Sequence, residues 1–141
     1  MSMLDRFVEA QEEVFPTALH QLRAGQKRSH WMWFVFPQLA GLGRSATAQF
    51  YGISSADEAL SFLGHPILGP RLLNCCAAMM NWAGRRTAAD ILGPVDAMKL
   101  KSSMTLFEQV AAEPKPFADI LANFYDGTRD ETTLSLLSVE R

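Results

Sequence analysis

Residues 29–38, with the sequence SHWMWFVFPQ, combine one histidine with four aromatic side chains and end in a glutamine. An imidazole can accept or donate a proton near neutral pH, so His30 is a candidate catalytic residue. Indole rings can fill a core or lie against a flat ligand, which makes Trp31 and Trp33 candidate ligand contacts. Gln38 could add a polar contact. The alternative is that this segment only packs the core.

A short glycine-containing stretch, PQLAGLGRS, follows directly. Glycine lets the backbone approach a ligand closely, so Gly41 and Gly43 are candidate binding residues. Ser45 could cap the helix that begins after it and leave backbone N–H groups free for an anion. The stretch lacks the third glycine and the acidic residue of a dinucleotide-binding motif, and no Walker lysine pattern is present. A plain loop between helices is the alternative.

The stretch DAMKLKSSMTLF, residues 96–107, carries polar side chains at helical spacing. On a helix, Asp96, Lys99 and Ser103 share one strip. Facing a pocket, the ammonium group would hold an anion, the carboxylate would take a proton, and the serine would donate a hydrogen bond. Asp96 is therefore the second catalytic candidate, with a solvated strip as the alternative. Arg71, surrounded by apolar residues, either extends to water or binds an anionic ligand.

Other kinds of chemistry have little support in the sequence. The two cysteines, Cys75 and Cys76, are adjacent, and neighbouring cysteines rarely bridge to each other, so no disulfide framework is expected. No His-x-x-x-His pattern occurs, and two thiols cannot complete a structural zinc site. Neither a nucleophile elbow nor an activated thiol can be recognised. We expect no metal and no cofactor.

Helix signals dominate the elements that must position these residues. Ser55 with Glu58, and Thr87 with Asp90, have the spacing of a helix-capping box. Apolar residues at helical spacing predict further helices near 4–15, 16–25, 66–84, 94–113, 116–127 and from 130 onward. WFVF at 33–36 and TTLSL at 132–136 have strand character but no hairpin partner. The sequence therefore predicts an all-α fold of six to eight unequal helices, with a small β pair as the alternative.

Length and composition predict one soluble domain spanning residues 1–141. Apolar residues make up 48% of the chain and charged residues 20%, which is typical of a folded globular protein. The net charge of −2 gives no general attraction for nucleic acid. Neither a signal peptide nor a run of about 18 apolar residues is found, so we expect a cytoplasmic protein without a membrane anchor. The oligomeric state stays open.

Much of the chain resembles a known family. The strings SHWMWFVFPQ and KLKSSMTLF, with EALSFLGHPILGPRLL between them, resemble a bacterial family of unknown function. This family is sometimes labelled calpastatin and is represented by a mycobacterial conserved hypothetical protein. The resemblance implies a mostly helical single domain with no established activity. A fainter similarity in helix plan links the family to helical enzymes thought to act on N-glycosidic bonds.

The calpastatin label does not fit the composition of this chain. The inhibitory segments of calpastatin are disordered, whereas this chain is apolar enough to fold and lacks repeated segments. Since the two signature strings lie within the unusual stretches 29–45 and 96–107, we expect a pocket between these stretches. Our leading hypothesis is a small anionic or nucleotide-like ligand there, with N-glycosidase-like hydrolysis as its catalytic form. Whether the protein is an enzyme stays open, and the alternative is a non-enzymatic interaction or structural module.

Overall fold

The computed structural model describes residues 3–139, and it confirms the all-α fold. The described residues form ten helices: α1 (Asp5–Gln11), α2 (Phe15–Ala24), α3 (Met32–Val35), α4 (Ala46–Phe50), α5 (Ala56–Gly64), α6 (Leu68–Met80), α7 (Ala88–Leu92), α8 (Pro94–Val110), α9 (Lys115–Phe124) and α10 (Glu131–Val139). This number exceeds the predicted six to eight because α3, α4 and α7 have only four or five residues each. No helix in this part of the chain is long and apolar enough to span a membrane.

Local capping chemistry sets several helix boundaries where the sequence predicts them. The hydroxyl groups of Ser45 and Ser55 accept backbone N–H groups at the starts of α4 and α5. Thr87 and Asp90 form a complete capping box at the start of α7. Helix α2 ends at a left-handed glycine, Gly25, with φ of 76°. These ends are predictable because each depends on residues only a few positions apart.

The two stretches with strand character are helical. WFVF lies largely in α3 and TTLSL lies in α10. Among residues 3–139, β pairing is limited to one isolated parallel bridge between Leu39 and Ile53. Aromatic and β-branched residues favour strands mainly by packing well on a pleated surface. Without a neighbouring strand to provide that surface, helix packing determines the local conformation.

Helices α6 and α8 form the centre of the molecule. Helix α8 packs against α5, α7, α9 and α10, and α6 packs against α2, α5 and α9. A row of fully buried phenylalanine rings crosses this centre, with successive ring centroids 5.2 to 5.7 Å apart: Phe7, Phe62, Phe107 and Phe117. Each fully buried ring contributes about 1.5–3 kcal/mol by removal of apolar surface from water. This core supports the first turns of α8, where Asp96 and Lys99 are partly exposed.

The aromatic segment divides between core and surface in a way that differs from the prediction. A helix capped by Ser29 would place His30, Trp33 and Phe34 on one face. Instead α3 begins at Met32, and the Ser29 hydroxyl accepts a hydrogen bond from Gln21 Nε2 at 2.9 Å. The buried side chains are Trp31, Met32, Val35 and Phe36. Trp33 and Phe34 are half-buried, because a helix that starts two residues later turns a different face to the core.

Candidate functional site

A cavity with a volume of about 760 Å³ lies where the segment after α3 faces α8. One wall comes from the aromatic segment, the glycine loop and α4: Trp33, Gln38, Leu42, Gly43, Arg44, Ser45 and Ala48. A second wall comes from the first half of α8: Val95, Ala97, Met98, Lys99, Lys101 and Ser102. The end of α9 and the start of α10 close the third side with Tyr125, Asp130 and Thr132. We call this space the main cavity.

The loop that carries Gly43 and Ser45 is closed at its base. Backbone hydrogen bonds join Ala40 N to Ile53 O at 2.8 Å and Ile53 N to Gln38 O at 2.9 Å. A Cβ atom on Gly52 would lie 2.7 Å from the Cα of Ala40, so only glycine allows the two arms to meet here. The loop therefore projects from a fixed base toward the main cavity.

A buried arginine anchors the far arm of this loop. Arg6 Nε donates to Phe50 O at 2.8 Å, and Nη2 donates to Gly52 O at 2.9 Å and to Glu58 Oε1 at 3.0 Å. The Arg6 side chain is only 8% exposed. Because a guanidinium group presents several donors in a fixed plane, Arg6 can hold the loop and α5 at the same time.

The glycines of the loop have separate roles. Gly41 has φ of 99°, in the region that favours glycine. The sequence predicted that it contacts a ligand, but Gly41 does not line the main cavity. Gly43 lines the main cavity, and a Cβ atom there would lie 2.5 Å from the Cβ of Ala48. Gly43 thus allows the close approach of the loop to α4. Ser45 also lines the cavity, but its hydroxyl is engaged by the N–H of Ala48.

The predicted polar strip of α8 meets Trp33 at the cavity wall. Lys99 Nζ lies 4.3 Å from the centroid of the Trp33 ring and 3.5 Å from Asp96 Oδ1. The other oxygen of Asp96, Oδ2, lies 2.9 Å from Lys27 Nζ. Asp96 therefore bridges two lysines, with one of them at each carboxylate oxygen.

The third wall is fixed by a hydrogen-bond network around Asp130. Its Oδ2 atom accepts from Ser102 Oγ at 3.1 Å, from Thr133 N at 3.1 Å and from Thr133 Oγ1. The Asp130 N–H donates to Thr105 Oγ1 at 3.0 Å. Nearby, the Tyr125 hydroxyl donates to Ala97 O, and burial raises the pKa of Tyr125 well above its ordinary value of 10.0. These contacts hold α10 and the end of α9 against α8.

The walls of the main cavity carry more positive than negative charge. Arg44, Lys99 and Lys101 are its cationic residues, and Asp130 is its acidic residue. Arg44 and Lys101 form no ion pair with any residue in the range 3–139. The protein as a whole has a net charge of −2, so this local excess of cations is a property of the cavity. Such a cavity favours an anionic ligand.

A smaller hollow of about 290 Å³ lies beside the main cavity. Its polar wall consists of Lys27, His30 and Asp96, and Trp33 separates it from the main cavity. The junction of α7 and α8 completes it with Leu92, Gly93, Pro94 and Val95. We call this space the side hollow. Both residues that the sequence suggested for catalysis, His30 and Asp96, lie here.

The structure brings together most of the residues that the sequence singled out. Trp33, Gln38, Gly43, Ser45 and Lys99 line the main cavity. The expected spatial relationship between segments 29–45 and 96–107 is therefore present.

Four predicted contacts lie away from both spaces: Gly41, described above, and Trp31, Ser103 and Arg71. Trp31 is fully buried, and its N–H donates to Gln21 Oε1 at 2.8 Å, so it belongs to the core. Ser103 is fully buried, although it lies only one helical turn after Lys99 on α8. Arg71 lies over the Phe15 ring with 4.9 Å to its centroid and donates to Gln11. The Arg71 guanidinium group thus contacts residues of α1 and α2 and does not reach either space.

Several cavity residues were not singled out from the sequence. Tyr125, Asp130 and Thr132 reach the cavity only because α9 and α10 fold back onto α8, and no local pattern indicates that return. Lys101 is two positions after Lys99, and this short distance in sequence from a predicted ligand contact could have indicated that Lys101 also lines the site. Arg44 lies inside the glycine-containing stretch. The sequence suggested an anion site there, but Arg44 was not proposed as one of its contacts.

Metal binding has no support in the described part of the chain. No group of three or more His, Cys, Asp or Glu side chains within residues 3–139 could hold a metal ion. The polar groups of the site are mainly cationic and hydroxyl groups. They suit an organic anion better than a cation.

Comparison with known proteins places the chain in a family. Residues 1–137 match the family described as Protein of unknown function (DUF1810), and the chain belongs to that family. The chain is also similar to the conserved hypothetical protein Rv1873 from Mycobacterium tuberculosis, known from a crystal structure. The two chains are 49% identical, with 96% of each chain covered and a TM-score of 0.93. No match is found among curated proteins.

Proposed function

We propose that this protein binds a small anionic, nucleotide-like molecule in the main cavity, and that its partner is neither nucleic acid nor a membrane. The observation that carries the proposal is a cavity of about 760 Å³ whose walls hold Arg44, Lys99 and Lys101 against a single carboxylate. Ligand sites commonly have such volumes and combine apolar walls with a few convergent polar groups.

The apolar part of the wall favours a ligand with a flat or apolar portion. Trp33 provides a half-buried ring, and Leu42, Ala48 and Met98 surround it. The N–H groups of Trp31 and Trp82 bind Gln21 and Leu22 O, whereas that of Trp33 binds no group in residues 3–139. The Trp33 indole therefore keeps a donor for a ligand or for water.

Hydrolysis of an N-glycosidic bond is the catalytic form of the proposal. This reaction uses a carboxylate to activate water or to stabilise positive charge on the sugar. Asp130 already accepts three hydrogen bonds through Oδ2, and Asp96 lies between two lysines. Both carboxylates are thus already engaged by neighbouring side chains, so the geometry favours binding over catalysis.

A protein-interaction module is the second candidate function. Val95 and Met98 are 66% and 74% exposed on the first turns of α8, beside the mouth of the main cavity. Exposed apolar residues beside a groove are common at protein interfaces. The same two residues could instead cover part of a bound small molecule.

The proposed location is the cytoplasm. Both cysteines are unpaired and buried, as is common in proteins of a reducing compartment.

Thermal-shift and calorimetric titrations test the proposal with AMP, inorganic phosphate and uncharged adenosine as probes. We expect AMP to raise Tm, since a ligand at 100 times its Kd adds about 2.7 kcal/mol to stability, and adenosine to have a much smaller effect. Lys101→Met should weaken AMP binding about tenfold. The matched control is Lys115→Met, an 83% exposed lysine on α9 that does not line the cavity. Absence of binding by every anionic probe would overturn the proposal and favour an interaction module.

A further inference from the structure

The main cavity and the side hollow share walls and charged groups. Trp33 and Val95 line both spaces. Asp96, which lines the side hollow, contacts Lys99 of the main cavity and Lys27 of the side hollow. The two spaces therefore adjoin and share the Trp33 side chain as a common wall.

The two parts differ in charge. The main cavity has an excess of cationic side chains. In the side hollow, Lys27 and Asp96 are paired at 2.9 Å and cancel each other, and His30 is the remaining titratable group. The Lys27 side chain is only 10% exposed, so this pairing is shielded from water. The side hollow is thus polar without being charged overall.

This arrangement selects among fragments that could enter the side hollow. A second anionic group would meet the Asp96 carboxylate, and a cationic group would meet Lys27 beside it. A purely apolar group would remove water from Asp96 and His30 without replacing the lost hydrogen bonds. A hydroxyl group can donate to the carboxylate and also exchange hydrogen bonds with the imidazole. A saturated ring with several hydroxyl groups could in addition pack its C–H face on Trp33.

We propose that the site takes a phosphorylated sugar, either free or as part of a nucleotide. The phosphate binds in the main cavity near Lys101 and Arg44, and the sugar hydroxyl groups occupy the side hollow against Asp96 and His30. This inference rests on the proposed function, since it divides the same ligand between the two spaces. A volume of about 290 Å³ is sufficient for one sugar ring.

Isothermal titration with inorganic phosphate, glucose 6-phosphate and ribose 5-phosphate tests this division. We expect at least one sugar phosphate to bind about tenfold more tightly than phosphate, the effect of one additional well-placed hydrogen bond to a charged group. His30→Ala and Asp96→Asn should each reduce this ratio to less than about threefold. His30 is exposed, so its variant should fold normally. His20→Ala is the matched control, because His20 is exposed and lines neither space.

The outcomes separate the two proposals. If phosphate and the sugar phosphates bind with equal affinity, or if both side-hollow variants keep the native ratio, the division is overturned while anion binding stands. If AMP binds but neither phosphate nor a sugar phosphate does, the division is overturned while anion binding stands; if AMP also fails to bind, both proposals are wrong. A ratio that decreases in the side-hollow variants but not in His20→Ala supports the division.

Discussion

The ammonium nitrogen of Lys99 lies 4.3 Å from the centre of the Trp33 ring, and this contact joins the two segments that the sequence marked as unusual. Lys99 belongs to α8 and Trp33 to α3, so the contact forms only after the chain has folded. It places a cation and an aromatic ring on the same cavity wall. A ligand phosphate near Lys99 would therefore have a ring surface beside it.

Lys99→Met should change stability little, because the Lys99 side chain is 22% exposed and its ion pair with Asp96 spans 3.5 Å. We expect the free energy of unfolding to fall by about 0.5–1 kcal/mol in urea titrations, the range of partly exposed cation–π contacts and ion pairs. Lys115→Met is the control. A loss above about 3 kcal/mol would show that Lys99 is a structural residue, which would make it unsuitable as a ligand contact.

Arg6→Met should destabilise the protein by about 3 kcal/mol, because it leaves Glu58 and two backbone carbonyl groups without their buried partner. Hydrogen exchange should become faster in residues 45–53, the arm of the loop that Arg6 holds. Arg28→Met, at an exposed arginine whose side chain contacts Gln26, should have little effect. Unchanged exchange in this loop would contradict the anchoring role.

Two adjacent serines of α8 should respond in opposite directions to alanine substitution. Ser103 Oγ is buried without a hydrogen-bond partner, so Ser103→Ala should raise the free energy of unfolding by up to about 1 kcal/mol. Ser102 Oγ bonds to Asp130, so Ser102→Ala should lower it by about 1 kcal/mol. Urea titration of both variants measures the difference. Destabilisation by Ser103→Ala would indicate that its hydroxyl has a partner after all, for example a bound water.

The ion pair between Arg129 and Glu108 should make stability depend on acid pH. The hydrogen bond from Arg129 holds the pKa of Glu108 below its ordinary value of 4.5. Because the folded-state pKa is lowered, the stabilisation is present above pH 4.5 and is lost as pH falls through the folded-state value. Urea titrations between pH 6 and pH 2.5 should show a steeper decline for the native protein than for Glu108→Gln. Equal slopes would contradict this contribution.

Much of the helical framework could be predicted because it depends on local chemistry. The caps at Ser55 and Thr87 and the left-handed Gly25 involve residues only a few positions apart. The start of α3 could not be predicted in the same way. Gln21 Nε2 donates to the Ser29 hydroxyl and Gln21 Oε1 accepts from the Trp31 N–H. This tertiary network engages Ser29, and α3 begins only at Met32.

Part of the candidate site could be predicted from residue types in two short stretches of the sequence. Lys99 and Trp33 were recognised by residue type, and their meeting was expected from the two signature strings. Periodicity did not separate Lys99 from Ser103, because α8 is packed on several sides and has no single inward stripe. The third wall, with Tyr125 and Asp130, depends on how α9 and α10 return to α8, which requires the tertiary structure.

The two buried thiols have a practical consequence for studying this protein. Burial raises the pKa of Cys75 to about 12 and that of Cys76 well above its ordinary value, so neither forms a reactive thiolate near neutral pH. A maleimide dye should therefore not label the folded protein. An Ala48→Cys substitution would introduce a single reactive position on the cavity wall, where a fluorophore could report occupancy without removal of the natural cysteines.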